Sequence, residues 1–222
     1  VLSAQLKTIG GSNHAIFARE ELLPMSKIAL PSILQQSTVS IGMMLVQSVV
    51  NGFGSEVLAG FSAAMRVETM CVVPMAGIGN AISSYTAQNI GAGKKARVIK
   101  GYHAANGMII ICAAILCFIL EFFHKPIIEM FLGKTATMSA LATGNNYLLF
   151  MGWCFCLIGF KMAVDGLLCG AGDMKMFTIA NFVNLIIRVS LAMTLAPQFG
   201  IAVVWYAVPI GWLANWTISF VQ

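Results

Sequence analysis

The stretch IALPSILQQSTVSIGMMLVQSVVNGFGSEVLAGFSAAMRVETMCVVPMAGIGNAISSYTAQ, residues 28–88, decides the fold. It divides into two long apolar segments, Ile28–Val50 and Val57–Gln88, joined by Asn51-Gly52-Phe53-Gly54-Ser55-Glu56. About 20 apolar residues cross the hydrocarbon core of a bilayer, so the first segment is long enough as it stands. The second is longer and carries Arg66, Glu68, Pro74, Gly77, Gly79 and Asn80. Charges and helix breakers inside an apolar segment are costly in lipid and face protein or water instead. The pair reads as the working element of a membrane protein. The chain beyond Gln88 reads as its support, a basic loop and four more spans.

Composition agrees. The 222 residues are 59% hydrophobic and 9% charged, against roughly 25% charged in soluble domains. The expected fold is an all-α, polytopic bundle of six transmembrane helices, since a helix satisfies its own backbone in lipid. The net charge of +5 does not argue for nucleic acid, because the basic residues sit in a few loops and the apolar load is too high. Six cysteines fall almost wholly inside apolar runs, where Cys behaves as a small hydrophobe. Cys154-Phe155-Cys156 lacks metal-ligand spacing, so no metal or disulfide is expected. Residues 1–27 lack a clean apolar core of a signal peptide, and a start at Val1 rather than Met is what a fragment would show.

The spans are expected at about 28–50, 57–88, 102–123, 141–164, 176–195 and 201–220. Residues 1–27 form a connection, with Ala18 to Met25 as a short interfacial stretch, and Pro31 falls near the start of the first span. Lys94, Lys95, Arg97 and Lys100 make the loop after residue 88 the most basic. The positive-inside rule places that loop, and with six spans both ends, in the cytoplasm. Lys7, Arg19 and Lys27 agree; Lys125 and Lys134 are exceptions on the outer side. Asp165 to Lys175 is expected as a short Gly-rich cytoplasmic loop. The Asn215-Trp216-Thr217 sequon lies inside the last span, where glycosylation is implausible.

Polar residues inside the spans fall into patterns. At 100° per residue, Gln36, Ser40, Gln47 and Asn51 lie within about 60° of one another, with Met43 on the same stripe. Asn181, Asn184 and Arg188 share a face at spacings of three and four. Each stripe fits either a wall of a wet cavity or hydrogen bonding between helices, worth about 0.6 kcal/mol per contact. Arg66 and Glu68 lie about 15 Å deep and point to nearly opposite faces, so each needs its own partner. An acid at that depth is a proton or cation site by default; an interhelical ion pair is the structural reading. Lys161 and Asp165 are i,i+4 and can pair on one face; they lie near the cytoplasmic end of their span, and snorkelling to the interface accounts for them.

Several strings together resemble one family: Ala29-Leu30-Pro31-Ser32-Ile33-Leu34-Gln35-Gln36, Asn51-Gly52-Phe53-Gly54, Ala63-Ala64-Met65-Arg66-Val67-Glu68, Pro74-Met75-Ala76-Gly77-Ile78-Gly79-Asn80-Ala81, Gln88-Asn89-Ile90-Gly91-Ala92-Gly93-Lys94 and Gly166-Leu167-Leu168-Cys169-Gly170-Ala171-Gly172-Asp173. From about residue 20 onward the chain resembles the bacterial multidrug and toxic compound extrusion (MATE) transporters. The resemblance implies two six-helix lobes around a central cavity in the cell (inner) membrane. It implies export of drugs or other organic compounds by alternating access, coupled to H⁺ or Na⁺, and no enzymatic activity or cofactor. This chain would be the second lobe, residues 28–222, with 1–27 as the inter-lobe connection. Its partners would be the bilayer, the missing N-terminal lobe and a small organic substrate. Some relatives carry an acid in the helix matching 28–50; here Gln35, Gln36 and Gln47 are neutral, and the coupling candidate is Glu68. The expected substrate or coupling residues are Gln36, Ser40, Met43, Gln47, Asn51, Arg66, Glu68, Asn80, Asn181, Asn184 and Arg188.

Three other readings fit parts of the sequence. A lipid-linked oligosaccharide flippase of the same superfamily differs only in substrate. An intramembrane aspartyl protease would use Gly170-Ala171-Gly172-Asp173, but the chain has no Tyr-Asp pair to complete it. A purely structural membrane subunit would need neither polar stripe.

Overall fold

Among the described residues, six long helices follow one another through short turns: α1 Arg19–Asn51, α2 Ser55–Gly91, α3 Lys95–Leu132, α4 Met138–Ala171, α5 Met174–Phe199 and α6 Ala202–Phe220. The computed structural model describes residues 19–133 and 136–221. The rest of the N-terminal connection, including Lys7 and Ala18, and Lys134 in the α3–α4 turn, lie outside the described residues. From Arg19 the stretch read as interfacial is continuous with the first span, so Pro31 lies inside a helix rather than in its first turn.

Among the described residues, five helices are long and apolar enough to cross a membrane: Ser32–Asn51 of α1, and all of α2, α3, α4 and α5. The sixth, α6, has 19 residues, about 28 Å of helix. Trp205, Pro209, Trp212, Asn215 and Trp216 lower its average hydropathy without shortening it.

Local chemistry sets the turns. The clearest is between α4 and α5. Gly172 takes φ 80°, its N–H donates to Cys169 O, and the Asp173 N–H reaches back to Leu168 O. This is a glycine-terminated helix end, which a side chain at the left-handed position would strain. Asp173 then caps α5 by accepting from Met176 N at 3.1 Å. The Gly-Ala-Gly-Asp string is thus a two-residue reversal, and the expected loop from Asp165 to Lys175 shrinks to Gly172 and Asp173. Asp165 belongs to α4.

The centre of the bundle is α4, packed against α2, α3, α6 and, more lightly, α5. Its Tyr147, Leu148, Met151 and Phe155 are fully buried against Met75 of α2 and Ile109, Leu120 and Ile128 of α3. The α2–α4 contact depends on glycine. A Cβ on Gly60 would strike Ala140 O, one on Gly166 would strike Gly79 O, and one on Gly170 would strike Ser83 O. Gly166 and Gly170 form a Gly-x-x-x-Gly pair, the spacing that lets helix backbones touch in a membrane. The contacts advance together along both helices, so α2 and α4 run parallel, as helices two apart in an up-and-down bundle must. The opposite arrangement holds outside: Ile110, Ile111, Ile115, Phe118 and Phe122 of α3 are exposed, a surface suited to lipid rather than water. On the far side, α1 packs mainly on α5, with Gly42 admitting Leu185.

Gly166→Ala is expected to lower the unfolding temperature of the detergent-purified protein, through overpacking that costs about 1–3 kcal/mol. Gly107→Ala, at a helical position with nothing within 4 Å of the added carbon, should leave it unchanged or raise it slightly. Thermal unfolding followed by tryptophan fluorescence measures both.

Candidate substrate cavity

Between α1, α2, α4 and α5 lies a cavity of about 470 Å³, with Trp212 of α6 on one wall. Its lining divides by chemistry. Met43, Met162, Phe177, Leu185, Val189 and Trp212 form apolar walls. Polar groups come from Gln36 of α1, Asn80 and Ser83 of α2, Lys161 and Asp165 of α4, and Asn181, Asn184 and Arg188 of α5. A pocket that is largely apolar with a few convergent polar groups is the usual form of a small-molecule site.

The strongest polar contact there is the ion pair between Lys161 Nζ and Asp165 Oδ2, at 2.6 Å, with both side chains largely buried. Lys161 also donates to Asn181 Oδ1 at 2.8 Å. Asn181 is itself fixed, because its amide nitrogen donates to Phe177 O at 2.8 Å, one turn back on α5. That bond turns its oxygen toward Lys161. A longer contact, 3.4 Å, runs from the same nitrogen to Asp165 Oδ2. The other carboxylate oxygen, Asp165 Oδ1, is buried and has no hydrogen-bond partner among the described residues. A buried carboxylate oxygen without a donor is costly, and the Lys161 ammonium on Oδ2 offsets that cost.

Arg188 lies seven residues beyond Asn181, about 10 Å along α5. Its Nη2 approaches Met43 Sδ at 3.5 Å. Gly211 makes room for it, since a Cβ there would meet both Asn184 Oδ1 and Arg188 Cγ. The cavity therefore has two polar poles, a charge-paired one near the α4–α5 turn and a guanidinium near the membrane middle, with apolar walls between them.

The structure sorts the expected residues. It brings Gln36, Met43, Asn80, Asn181, Asn184 and Arg188 to one cavity. Ser40, Gln47 and Asn51 do not line it; all three are exposed, and Ser40 bonds back to Gln36 O. The cavity face of α1 is instead Ser32, Gln36, Val39, Met43 and Val46, one flank of the stripe read from the sequence. Arg66 is exposed, and Glu68 is buried behind the cavity. Tyr147 Oη donates to Glu68 Oε2 at 2.5 Å, and Tyr147 is wedged edge-on between Phe61 and Trp205. Glu68 sits within Coulombic range of Arg188 but does not touch it. Lys161 and Asp165 do pair, as their spacing allows, but the sequence reading misplaced the pair. They do not snorkel to an interface: α4 continues to Ala171, and Asn181 of α5 closes over the pair.

Comparison with known proteins places this geometry in context. A family model described as MatE matches residues 31–194. The chain is 30% identical over 165 residues to the probable multidrug resistance protein YpnP of Bacillus subtilis (strain 168), over 74% of this chain and 36% of that protein. It is 23% identical over 163 residues to the probable multidrug resistance protein YoeA of the same organism, over 73% of this chain and 35% of that one. Among solved structures, a MOP superfamily transporter from Pyrococcus furiosus superposes with a TM-score of 0.84 at 23% identity, over 92% of this chain and 46% of that one. An outward-facing multidrug resistance MATE transporter gives 0.81 at 23% identity, over 92% and 46%. An inward-facing one gives 0.79 at 21% identity, over 92% and 48%. The chain thus spans about a third of these curated relatives and about half of these solved transporters.

Removing one member of the ion pair should cost far more than removing both. Lys161→Met is expected to destabilise the protein by about 3–5 kcal/mol, the usual effect of stranding a buried charge. Lys161→Met with Asp165→Asn should recover most of that loss. A double-mutant cycle on detergent unfolding curves reads the difference.

Proposed function

The chain belongs to the MatE family, a family of membrane transporters rather than enzymes, and from that premise we propose that it is one six-helix lobe of an exporter of amphipathic organic compounds. A second six-helix lobe completes the transporter, which resides in the cell membrane. The observation that carries the reading is the Lys161–Asp165 pair held by Asn181 inside an otherwise largely apolar cavity. Ionisable groups placed inside a membrane protein and turned toward a cavity mark transport pathways.

The coverage of about half of each solved transporter supports the second lobe. So does α1, whose exposed face carries Gln36, Ser37, Ser40, Gln47, Ser48 and Asn51. These polar groups would be poorly served by lipid, and a facing lobe or a central aqueous path would satisfy them. The lobe superposes almost equally well on the outward-facing and the inward-facing transporter. This supports alternating access by movement of one rigid lobe against another, with the cavity shared between them.

Export against a gradient needs a second ion, and here the reading is a proton in antiport. Substrate and proton compete for the Lys161–Asp165 pair, so each favours a different state of the cavity, and a ligand drives a conformational change only through such differential affinity. Sodium fits less well. Lys161 already holds Asp165 Oδ2 and Asn181 Oδ1, the oxygens that a small metal cation would need as ligands. Asp165, in the cavity, is the acid assigned to coupling in preference to Glu68, which Tyr147 holds outside it.

Cells making the complete transporter should export ethidium until the proton gradient is collapsed, and should continue when only the sodium gradient is collapsed. Asp165→Asn should abolish gradient-dependent efflux at normal expression, and Glu68→Gln should retain it. Loss in Glu68→Gln with retention in Asp165→Asn would move coupling to the Tyr147–Glu68 pair. Absence of ethidium efflux under every gradient would contradict the drug-export reading and favour a lipid-linked substrate.

A further inference from the structure

Proton-coupled export requires a group that carries the exchanged proton. We propose that the carrier is Lys161: an organic cation takes its place on Asp165, and the displaced Lys161 gives up its proton to water. This inference rests on the export reading and deepens it.

The geometry supplies three reasons. First, Asp165 has a cationic partner already, at 2.6 Å. An incoming cation cannot neutralise this carboxylate without moving Lys161 aside, because Lys161 holds Oδ2 and Oδ1 is buried. Second, Lys161 has nowhere else to place its charge. The other titratable or charged groups lining the cavity, among the described residues, are Cys169 and Arg188. Arg188 repels it. Glu68 of α2 lies outside the lining and is held by Tyr147. An ammonium deprived of its counter-ion in a largely apolar pocket is unstable as a charge, whereas a neutral amine is tolerated. Third, Asn181 remains as a partner. Its oxygen, oriented by the bond to Phe177 O, accepts equally well from a neutral amine.

The step balances. In the resting lobe Lys161 is an ammonium on the Asp165 carboxylate. As an organic cation binds, one N–H bond of Lys161 breaks, its electron pair stays on Nζ, and the proton passes to water. The carboxylate keeps one cationic partner throughout, so the cavity charge is the same before and after. When the cation leaves on the other side of the membrane, Lys161 takes a proton from water there and the ion pair re-forms. One cation moves out for one proton in. The apolar walls from Met43, Phe177 and Trp212 hold the substrate's body, and Arg188, about 10 Å away along α5, suits a carbonyl or hydroxyl at its far end.

Ethidium is a suitable probe because its charge is permanent, so any proton released on binding comes from the protein. The complete transporter, purified in weakly buffered detergent with a pH indicator, should release about one proton per bound ethidium, and its affinity should rise up to about tenfold per pH unit. Lys161→Arg keeps the ion pair but cannot lose a proton. It should bind ethidium roughly tenfold or more weakly, the factor associated with a charge-assisted bond, release no proton, and lose uphill efflux. Should the arginine variant fail to fold, the second measurement is the Nζ nitrogen NMR signal of Lys161 in lysine-labelled protein, which should move from the ammonium to the neutral-amine position when ethidium binds. Proton release from Lys161→Arg equal to that of the unaltered protein, or an Nζ signal that stays that of an ammonium at saturating ethidium, would overturn the proposal, with an acid as the carrier, and would leave proton-coupled export standing. An unaltered protein that neither binds nor exports ethidium would overturn both.

Discussion

A lysine held on an aspartate inside a membrane bundle is the interaction on which the site depends. Two opposite charges buried together are tolerable only when their geometry is good and their remaining hydrogen-bonding positions are served. Asn181 serves Lys161, and the backbone of Phe177 fixes Asn181. Asp165 Oδ2 is held by Lys161, and its Oδ1 is buried with no partner among the described residues. Stability and the proposed function meet at Oδ2: Lys161 holds it in the folded lobe, and the proposed cation would take it over.

The scaffold makes the pair possible through small residues. Gly79, Gly166 and Gly170 bring α2 and α4 into backbone contact, which places Asn80 and Ser83 beside Met162, Asp165 and Cys169 on one wall. The two-residue reversal at Gly172 and Asp173 sets the register of α5 against α4. Asp165 lies seven residues before it and Asn181 eight after, so the two face each other at the same height. Gly42 and Gly211 complete the enclosure, the first by admitting Leu185 and the second by leaving room for Asn184 and Arg188.

Much of this was legible in the residues themselves. Apolar lengths of helical size, interrupted by glycine-rich turns, point to a membrane helix bundle, because lipid permits little else. The stripe Asn181, Asn184 and Arg188 follows from helical spacing alone, and it does reach the cavity. The stripe on α1 was half legible: Gln36 and Met43 face inward, but periodicity cannot say which flank of a polar face meets a neighbour, and Gln47 and Asn51 lie on the other. The pairing of Lys161 with Asp165 was legible in their spacing, but its place was misread, because a snorkelling pair and an internal one look alike on one helix. The signal that separates them spans two helices. Counting outward from the Gly-Asp reversal would have set Asn181 opposite the pair. That Glu68 turns toward Tyr147, 79 residues away, has no local signature, since it arises from the parallel packing of α2 on α4.

The central claim is that substrate binds beside the Lys161–Asp165 pair. Cys169 lines that cavity one turn from Asp165, while Cys71, Cys112, Cys117, Cys154 and Cys156 do not. The most direct measurement is the rate at which a small alkylating reagent labels Cys169 in the complete transporter, with the other five replaced by alanine, with and without ethidium. The account predicts that ethidium slows labelling in a saturable way, at the concentrations that drive its efflux. Labelling of Cys169 unchanged at saturating ethidium, with protection of a cysteine placed elsewhere in the bundle, would contradict it.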